Sequence, residues 1–89
     1  MPSIRFSVTG RVQGVGFRMF TRRQADALGL VGWVRNVSDG SVEGCAEGSC
    51  DAIDALVETL HQGPVAAKVT EVTIEDTQTT RFENFRIVR

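Results

Sequence analysis

The sequence predicts an α+β fold in which two helices pack on one face of a mainly antiparallel sheet. Three observations predict it: short segments of alternating apolar residues recur along the chain, two segments have apolar residues at helical spacing, and turn signals separate them. The chain has 89 residues, of which 42% are hydrophobic, and this suffices for one modest core. We therefore expect residues 1–89 to form a single domain.

The first strand is predicted over about residues 4–12, because Ile4, Phe6 and Val8 alternate there with polar residues. Residues 12–18, which we call the glycine loop, carry two glycines and end on a cation. Glycines between a strand and a helix are typical of a tight turn, since such a turn needs positive φ angles.

A first helix is predicted over about residues 17–28. Its apolar stripe has helical spacing, and Gly29 supplies a C-terminal stop. The stripe consists of Phe17, Phe20, Thr21, Ala25 and Leu28.

A hairpin is predicted after this helix. Residues 30–36 are rich in Val and Trp, the Asp39-Gly40 pair is a strong hairpin-turn signal, and apolar residues alternate again over residues 42–46. These features indicate a second and a third strand that pair with each other.

The second helix is predicted to begin after Ser49, which is a favourable N-cap residue, with Asp51 in its first turn. Gly63-Pro64 ends it. Its apolar stripe consists of Ile53, Leu56, Val57 and Leu60.

The last part of the chain predicts two further strands. Apolar residues alternate over residues 67–69 and again over 72–74, and the slip in phase predicts a β-bulge near residues 70–71 in a fourth strand. Residues 76–80 are predicted to form a loop, and residues 85–87 a short final strand. The resulting order, βαββαβ with a short terminal strand, is that of the ferredoxin-like sandwich.

Charge is unevenly distributed, although the formal net charge is only −1. Residues 1–36 carry six arginines and one acid, a net +5, whereas residues 37–89 carry four bases and ten acids, a net −6. The first part of the chain can therefore steer an anion, although ordinary solvated faces explain the same pattern.

Several classes of protein are disfavoured. No stretch has the about 18 apolar residues of a membrane span, and residues 1–8 lack the apolar run of a signal peptide. The spacing of Cys45 and Cys50 fits neither a redox CxxC pair nor a zinc site, so we expect free thiols, although a disulfide stays open. We expect a cytoplasmic protein with no membrane partner and no metal.

The glycine loop has two interpretations. A lone Gly-x-Gly is more often a turn than a ligand site. Arg18, however, falls in the first turn of the predicted helix, where the helix dipole disfavours a cation unless an anion binds there. A guanidinium fork and free backbone N–H groups together suit a phosphoryl group. The loop lacks the Lys and Ser/Thr of a Walker loop and the GxGxxG spacing, so it is not a nucleotide-binding loop of either kind.

Two segments carry a resemblance to a known family. Residues 8–18 read VxGxVQGVxFR, and residues 32–48 read GWVRN, three residues, G, one residue, V, five residues and G. These segments resemble the two signatures of the acylphosphatase family at every fixed position. The resemblance extends over nearly the whole chain, and it departs from the family at the C-terminus, where Val88-Arg89 stands in place of the usual Arg-Tyr ending.

The resemblance implies an enzyme that hydrolyses the carboxyl–phosphate bond of small acyl phosphates without a metal or a cofactor. It implies that Arg18 is the phosphate-binding arginine and that Asn36 positions the attacking water. Without the motif, Asn36 would be interpreted as a hairpin residue that tolerates left-handed geometry. Phosphate and sulfate-like anions are expected to bind the same loop. The expected phosphate-binding residues are Gln13, Gly14, Val15, Gly16, Phe17 and Arg18.

Other polar residues have simpler interpretations. His61 suits the negative end of the second helix dipole, and Cys45 has no base evident beside it in the sequence. Glu43 and Glu47 share the polar face of a strand and are expected to be solvated. Trp33 is expected to serve packing.

Two other functions stay open on the sequence alone. The same order of elements serves RNA-recognition domains, but residues 41–48 have no aromatic residue and two acids, so we expect no nucleic-acid partner. A non-catalytic anion- or phosphate-binding regulatory module would carry the same loop. We expect a monomer, because the sequence has no obvious additional apolar patch.

Overall fold

The computed structural model describes residues 2–78 and 81–89 of the chain. The predicted order of strands and helices is confirmed. The elements are β1 (Ser3–Arg11), α1 (Phe17–Ala27), β2 (Val31–Asn36), β3 (Val42–Glu47), α2 (Cys50–Gln62), β4 (Lys68–Asp76) and β5 (Phe85–Ile87). Among the described helices, none is long and apolar enough to cross a membrane.

The five strands form one sheet in the order β4-β1-β3-β2-β5. Neighbouring strands are antiparallel except for β2 and β5, which pair in parallel. The two helices cover one face, and the buried apolar residues of β1 belong to the same core as those of both helices. The α+β, ferredoxin-like class is therefore confirmed. The largest fully buried side chains include Phe6, Phe17, Leu56 and Leu60.

The helix ends follow the sequence signals. Ser49 is the N-cap of α2, and its side chain accepts a hydrogen bond from the Ala52 N–H at 3.2 Å. Gly63 is the C-cap of the same helix, with a positive φ of 66° that favours glycine. Thr21 is buried within α1, where its hydroxyl donates to the Phe17 carbonyl at 2.9 Å.

The predicted bulge in β4 is present. Thr9 stands opposite Glu71 while the next residue, Gly10, stands opposite Val69, so Thr70 is the extra residue of the pair. The predicted loop over residues 76–80 begins later than expected, because Asp76 still pairs with β1 and ends β4. Residues 79–80 of that predicted loop lie outside the described residues.

On the face of the sheet that the helices leave open, two residues differ from what the sequence predicts. Glu47 is buried rather than solvated, because it lies in β3 between β1 and β2, opposite Ser3. Trp33 is half-buried and outside the core, because its position in β2 directs it away from the helices. Glu43 accepts a hydrogen bond from Arg35 Nε at 2.7 Å and one from Arg5 at 3.3 Å, and the Arg35 bond above all lowers the pKa of its carboxyl.

Candidate active site

The glycine loop connects β1 to α1 through two residues in the left-handed region. Gly14 has a φ of 74° and Gly16 a φ of 81°, angles at which a side chain would be strained. A Cβ atom placed on either glycine would meet no described atom within 4 Å. The loop therefore presents bare backbone to open space, where a ligand can approach its N–H groups closely.

The start of α1 is electropositive. Gly16 is its N-cap, the part of the chain that the structure describes offers no side-chain cap, and the first turn has no acidic residue. The first N–H groups of a helix have no acceptor within it, and the helix dipole adds a partial positive charge there. Arg18 lies in this turn, and none of the ion pairs found among residues 2–78 and 81–89 involves it. This end of the helix is thus arranged for an anion.

Asn36 is the last residue of β2, directly before the hairpin turn. Its Oδ1 atom is buried and has no hydrogen-bond partner among the described residues. A buried acceptor without a donor costs about 1–3 kcal/mol, so such an atom in a folded protein asks for an explanation.

The hairpin turn, residues 37–41, is held rigid beside Asn36. The Val37 N–H donates to the Ser41 carbonyl at 2.8 Å, and the Gly40 N–H donates to the Val37 carbonyl at 3.0 Å. Asp39 Oδ1 accepts from the Ser41 N–H at 2.9 Å and from the Ser41 hydroxyl at 2.6 Å. These hydrogen bonds from Ser41 lower the pKa of the Asp39 carboxyl below its ordinary value of 3.8, so this group is ionised at neutral pH. The turn therefore keeps its internal bonds throughout the neutral range.

A cavity of about 210 Å³ brings the two motifs together. The fold places the end of β2 next to the start of α1, so Arg18 and Asn36 line the same space although 18 positions separate them. Ile87 of β5 lines it as well, and the sequence analysis missed this residue because only the parallel pairing of β5 with β2 brings it there. Its lining includes Gly14, Gly16, Phe17, Arg18, Asn36 and Ile87.

Two predicted loop residues lie elsewhere than in the cavity wall. The Gln13 side chain donates to the Val37 carbonyl at 2.7 Å and to the Ser41 carbonyl at 2.9 Å, so it braces the hairpin turn. Val15 packs against the core. A contact between either residue and phosphate would thus use its backbone N–H, and that contact stays a prediction. The side chain of Phe17 is buried, so it too would offer only its N–H.

Other reactive groups lie away from this cavity. Cys45 and Cys50, both in the described part of the chain, are free thiols, and burial raises the pKa of Cys45, which disfavours a thiolate nucleophile. His61 is exposed in the last turn of α2. The described residues hold no group of three or more His, Cys, Asp and Glu that could bind a metal.

Known proteins match this chain both in sequence and in structure. A family model for acylphosphatase matches residues 4–87. The chain is 53% identical over 83 residues to an acylphosphatase of Salinibacter ruber, which covers 92% of this chain and 87% of the relative. It is 47% identical over 92 aligned positions to an acylphosphatase of Acaryochloris marina, which covers 100% of this chain and 99% of the relative. Among crystal structures, acylphosphatase from Bacillus subtilis matches with a TM-score of 0.96 and 41% identity, over 100% of both chains.

Proposed function

Because this chain belongs to the acylphosphatase family, we propose that its cavity hydrolyses the carboxyl–phosphate bond of small acyl phosphates to a carboxylate and inorganic phosphate. The chain is an enzyme of the hydrolase class, an acylphosphatase, and its substrates are acyl phosphates. The roles of its individual residues are our proposal.

The phosphoryl group is held by Arg18 and the glycine loop. Phosphoryl transfer has a loose transition state whose negative charge is spread over the equatorial oxygens. The guanidinium fork of Arg18 can form two parallel charge-assisted bonds to these oxygens, and the N–H groups of the loop and of the first turn of α1 can add further donors. The same donors are proposed to bind free phosphate and sulfate-like anions.

Asn36 positions the attacking water. Asn36 lines the cavity, and its amide carries both a hydrogen-bond acceptor and a donor, with which it can orient a water molecule toward phosphorus. An amide does not remove the proton, which can pass to a phosphate oxygen of the substrate. The leaving group is a carboxylate that is stable at neutral pH, so no general acid is needed, and we expect turnover without an added metal or cofactor.

One observation carries this assignment: Asn36 lines the same cavity as Arg18, and its buried Oδ1 has no hydrogen-bond partner among the described residues. A turnover assay with benzoyl phosphate, in buffer containing a chelator, tests it. We expect stoichiometric release of benzoate and phosphate, with inorganic phosphate as a competitive inhibitor. A folded protein that binds phosphate but does not turn over benzoyl phosphate would instead support a non-catalytic module.

Gln13 has a proposed positioning role, because its side chain connects the glycine loop to the turn that follows Asn36. Gln13→Leu removes both donors at similar volume and frees the turn to shift. A displacement of about 1 Å can cost on the order of 100-fold in rate, so we expect kcat to fall by about 10- to 100-fold. The affinity for inorganic phosphate should change much less, since Arg18 and the helix start are intact.

Gln24→Leu is the matched control for Gln13→Leu, because Gln24 is also half-exposed but lies within α1, away from the cavity lining. Equal kcat values for the two variants would contradict the positioning role of Gln13.

The free cysteines and the exposed apolar residues bear on the compartment and on the oligomeric state of the enzyme. Two free cysteines suit a reducing compartment, so we propose that the enzyme acts in the cytoplasm. The large hydrophobic residues exposed in the described chain are Met19 in α1, Val65 in the segment between α2 and β4, and Ile74 in β4, and they are far apart in the sequence or on different elements. This scattering supports a monomer in which residues 1–89 form one domain.

A further inference from the structure

A second and larger concavity lies on the open face of the sheet. It has a volume of about 490 Å³ and is formed by β2, β5 and the segment that precedes β5. Sites for small molecules usually span about 300–1,000 Å³, so this groove has the size of a ligand site. Among the described residues, it shares no lining residue with the catalytic cavity.

The alternation of side chains along β2 and β5 explains why the groove is separate from the catalytic cavity. Asn36 and Ile87 line the cavity at the start of α1, whereas Trp33 and Arg35 on β2 and Arg86 on β5 line the groove. Arg86 stands directly beside Trp33 in the parallel pairing. The β2–β5 pair therefore contributes to two sites.

The groove combines flat surfaces with positive charge. The guanidinium of Arg35 lies 5.3 Å from the centre of the Trp33 ring, and its ion pair with Glu43 fixes it there. Phe82 adds a second, half-buried ring to the lining. These side chains offer a platform of flat surfaces on which a planar group can stack.

Two further arginines supply the charge. Arg81 and Arg86 are exposed, and neither takes part in an ion pair found in the described chain. Glu83 is the one acidic residue among the described residues that line the groove. Glu43 binds Arg35 but does not itself line the groove. Two uncommitted guanidinium forks against one carboxylate leave the groove positive, as a phosphate monoester requires.

We propose that the groove formed by Trp33, Arg35, Phe82, Arg81 and Arg86 binds a small phosphate monoester that carries a flat ring, of the chemical class of a nucleoside monophosphate. The ring stacks on the platform of Trp33, Arg35 and Phe82. The phosphate lies between Arg81 and Arg86. This ligand differs from an acyl phosphate, and its site is independent of the catalytic cavity.

The single tryptophan of the chain lies in this groove, so its fluorescence reports binding there directly. Titration of the full chain with AMP, excited at the red edge of tryptophan absorption and repeated by calorimetry, should give saturable quenching with a Kd in the micromolar to millimolar range. Adenosine lacks the phosphate and inorganic phosphate lacks the ring, so each is expected to bind at least about tenfold more weakly than AMP.

Variants separate the groove from the catalytic cavity. Arg86→Gln should weaken AMP binding by at least about tenfold, whereas Arg18→Ala and the exposed-surface control Arg23→Gln should leave it unchanged. No saturable quenching by AMP would overturn the proposal. So would binding of phosphate as tight as that of AMP, or loss of AMP binding in Arg18→Ala, which would place AMP in the catalytic cavity.

Discussion

Arg18→Ala is expected to lower kcat/KM for benzoyl phosphate by on the order of 10³-fold or more, the effect of removing a transition-state arginine in phosphoryl transfer. The variant loses the cation that faces the equatorial oxygens, and alanine offers no donor in its place. Arg18→Lys should recover only part of this loss, because an ammonium keeps the charge but cannot form the bidentate fork. Steady-state kinetics of the three proteins measures the series.

The stability of Arg18→Ala should not fall with its activity. A cation in the first turn of a helix is electrostatically unfavourable by about 0.3–1 kcal/mol, and Arg18 has no ion-pair partner in the described chain to offset this. Arg23→Ala removes an equal charge from the exposed side of the same helix and should leave kcat/KM nearly unchanged. A folded Arg18→Ala variant with a rate within tenfold of the parent would contradict the assignment of Arg18.

Asn36→Ala is expected to lower kcat by about 100- to 1,000-fold, as loss of one preorganised polar group in an active site does. The affinity for inorganic phosphate should stay close to that of the parent enzyme, because Arg18 and the glycine loop are untouched. Turnover of benzoyl phosphate and inhibition by phosphate, measured on the same preparations, give the two quantities.

Thermal unfolding supplies a second readout for Asn36→Ala. The substitution removes a buried acceptor that has no partner among the described residues, so the variant should be at least as stable as the parent. Asn84→Ala is the matched control, since Asn84 is exposed and outside the cavity lining. Equal loss of kcat and of phosphate affinity in Asn36→Ala would show that Asn36 supports the loop rather than the water.

The order of the elements could be predicted from the sequence because each element carries a local signal. Period-two and helical spacings mark the strands and helices, Ser49 marks the start of α2, and a slip in phase marks the bulge at Thr70. These patterns report which side of each element faces the core, and the core then fixes the fold. The proposed role of Arg18 rests on a local signal too, its unfavourable place at a helix start.

The surroundings of the site could not be predicted in the same way, because they depend on contacts between distant parts of the chain. Ile87 reaches the cavity only through the parallel pairing of β5 with β2. The two acceptors of the Gln13 side chain lie 24 and 28 positions further along the sequence. No local pattern shows that this side chain braces the hairpin rather than binds an anion. The burial of Glu47 depends likewise on its central strand having a neighbour on each side.

The groove shows a further limit of sequence patterns. Trp33 belongs to the same sequence motif as Arg35 and Asn36, yet alternation along β2 directs Trp33 and Arg35 to one face of the sheet and Asn36 to the other. One continuous sequence motif thus contributes side chains to two separate surfaces.

The fate of isotopic oxygen tests most directly whether water held at Asn36 attacks phosphorus held by Arg18. Benzoyl phosphate would be hydrolysed by the enzyme in ¹⁸O-labelled water and both products analysed by mass spectrometry. Attack at phosphorus places the label in inorganic phosphate and leaves benzoate unlabelled, which is the result we predict. Label in benzoate would mean attack at the carbonyl carbon and would contradict the proposed roles of both residues.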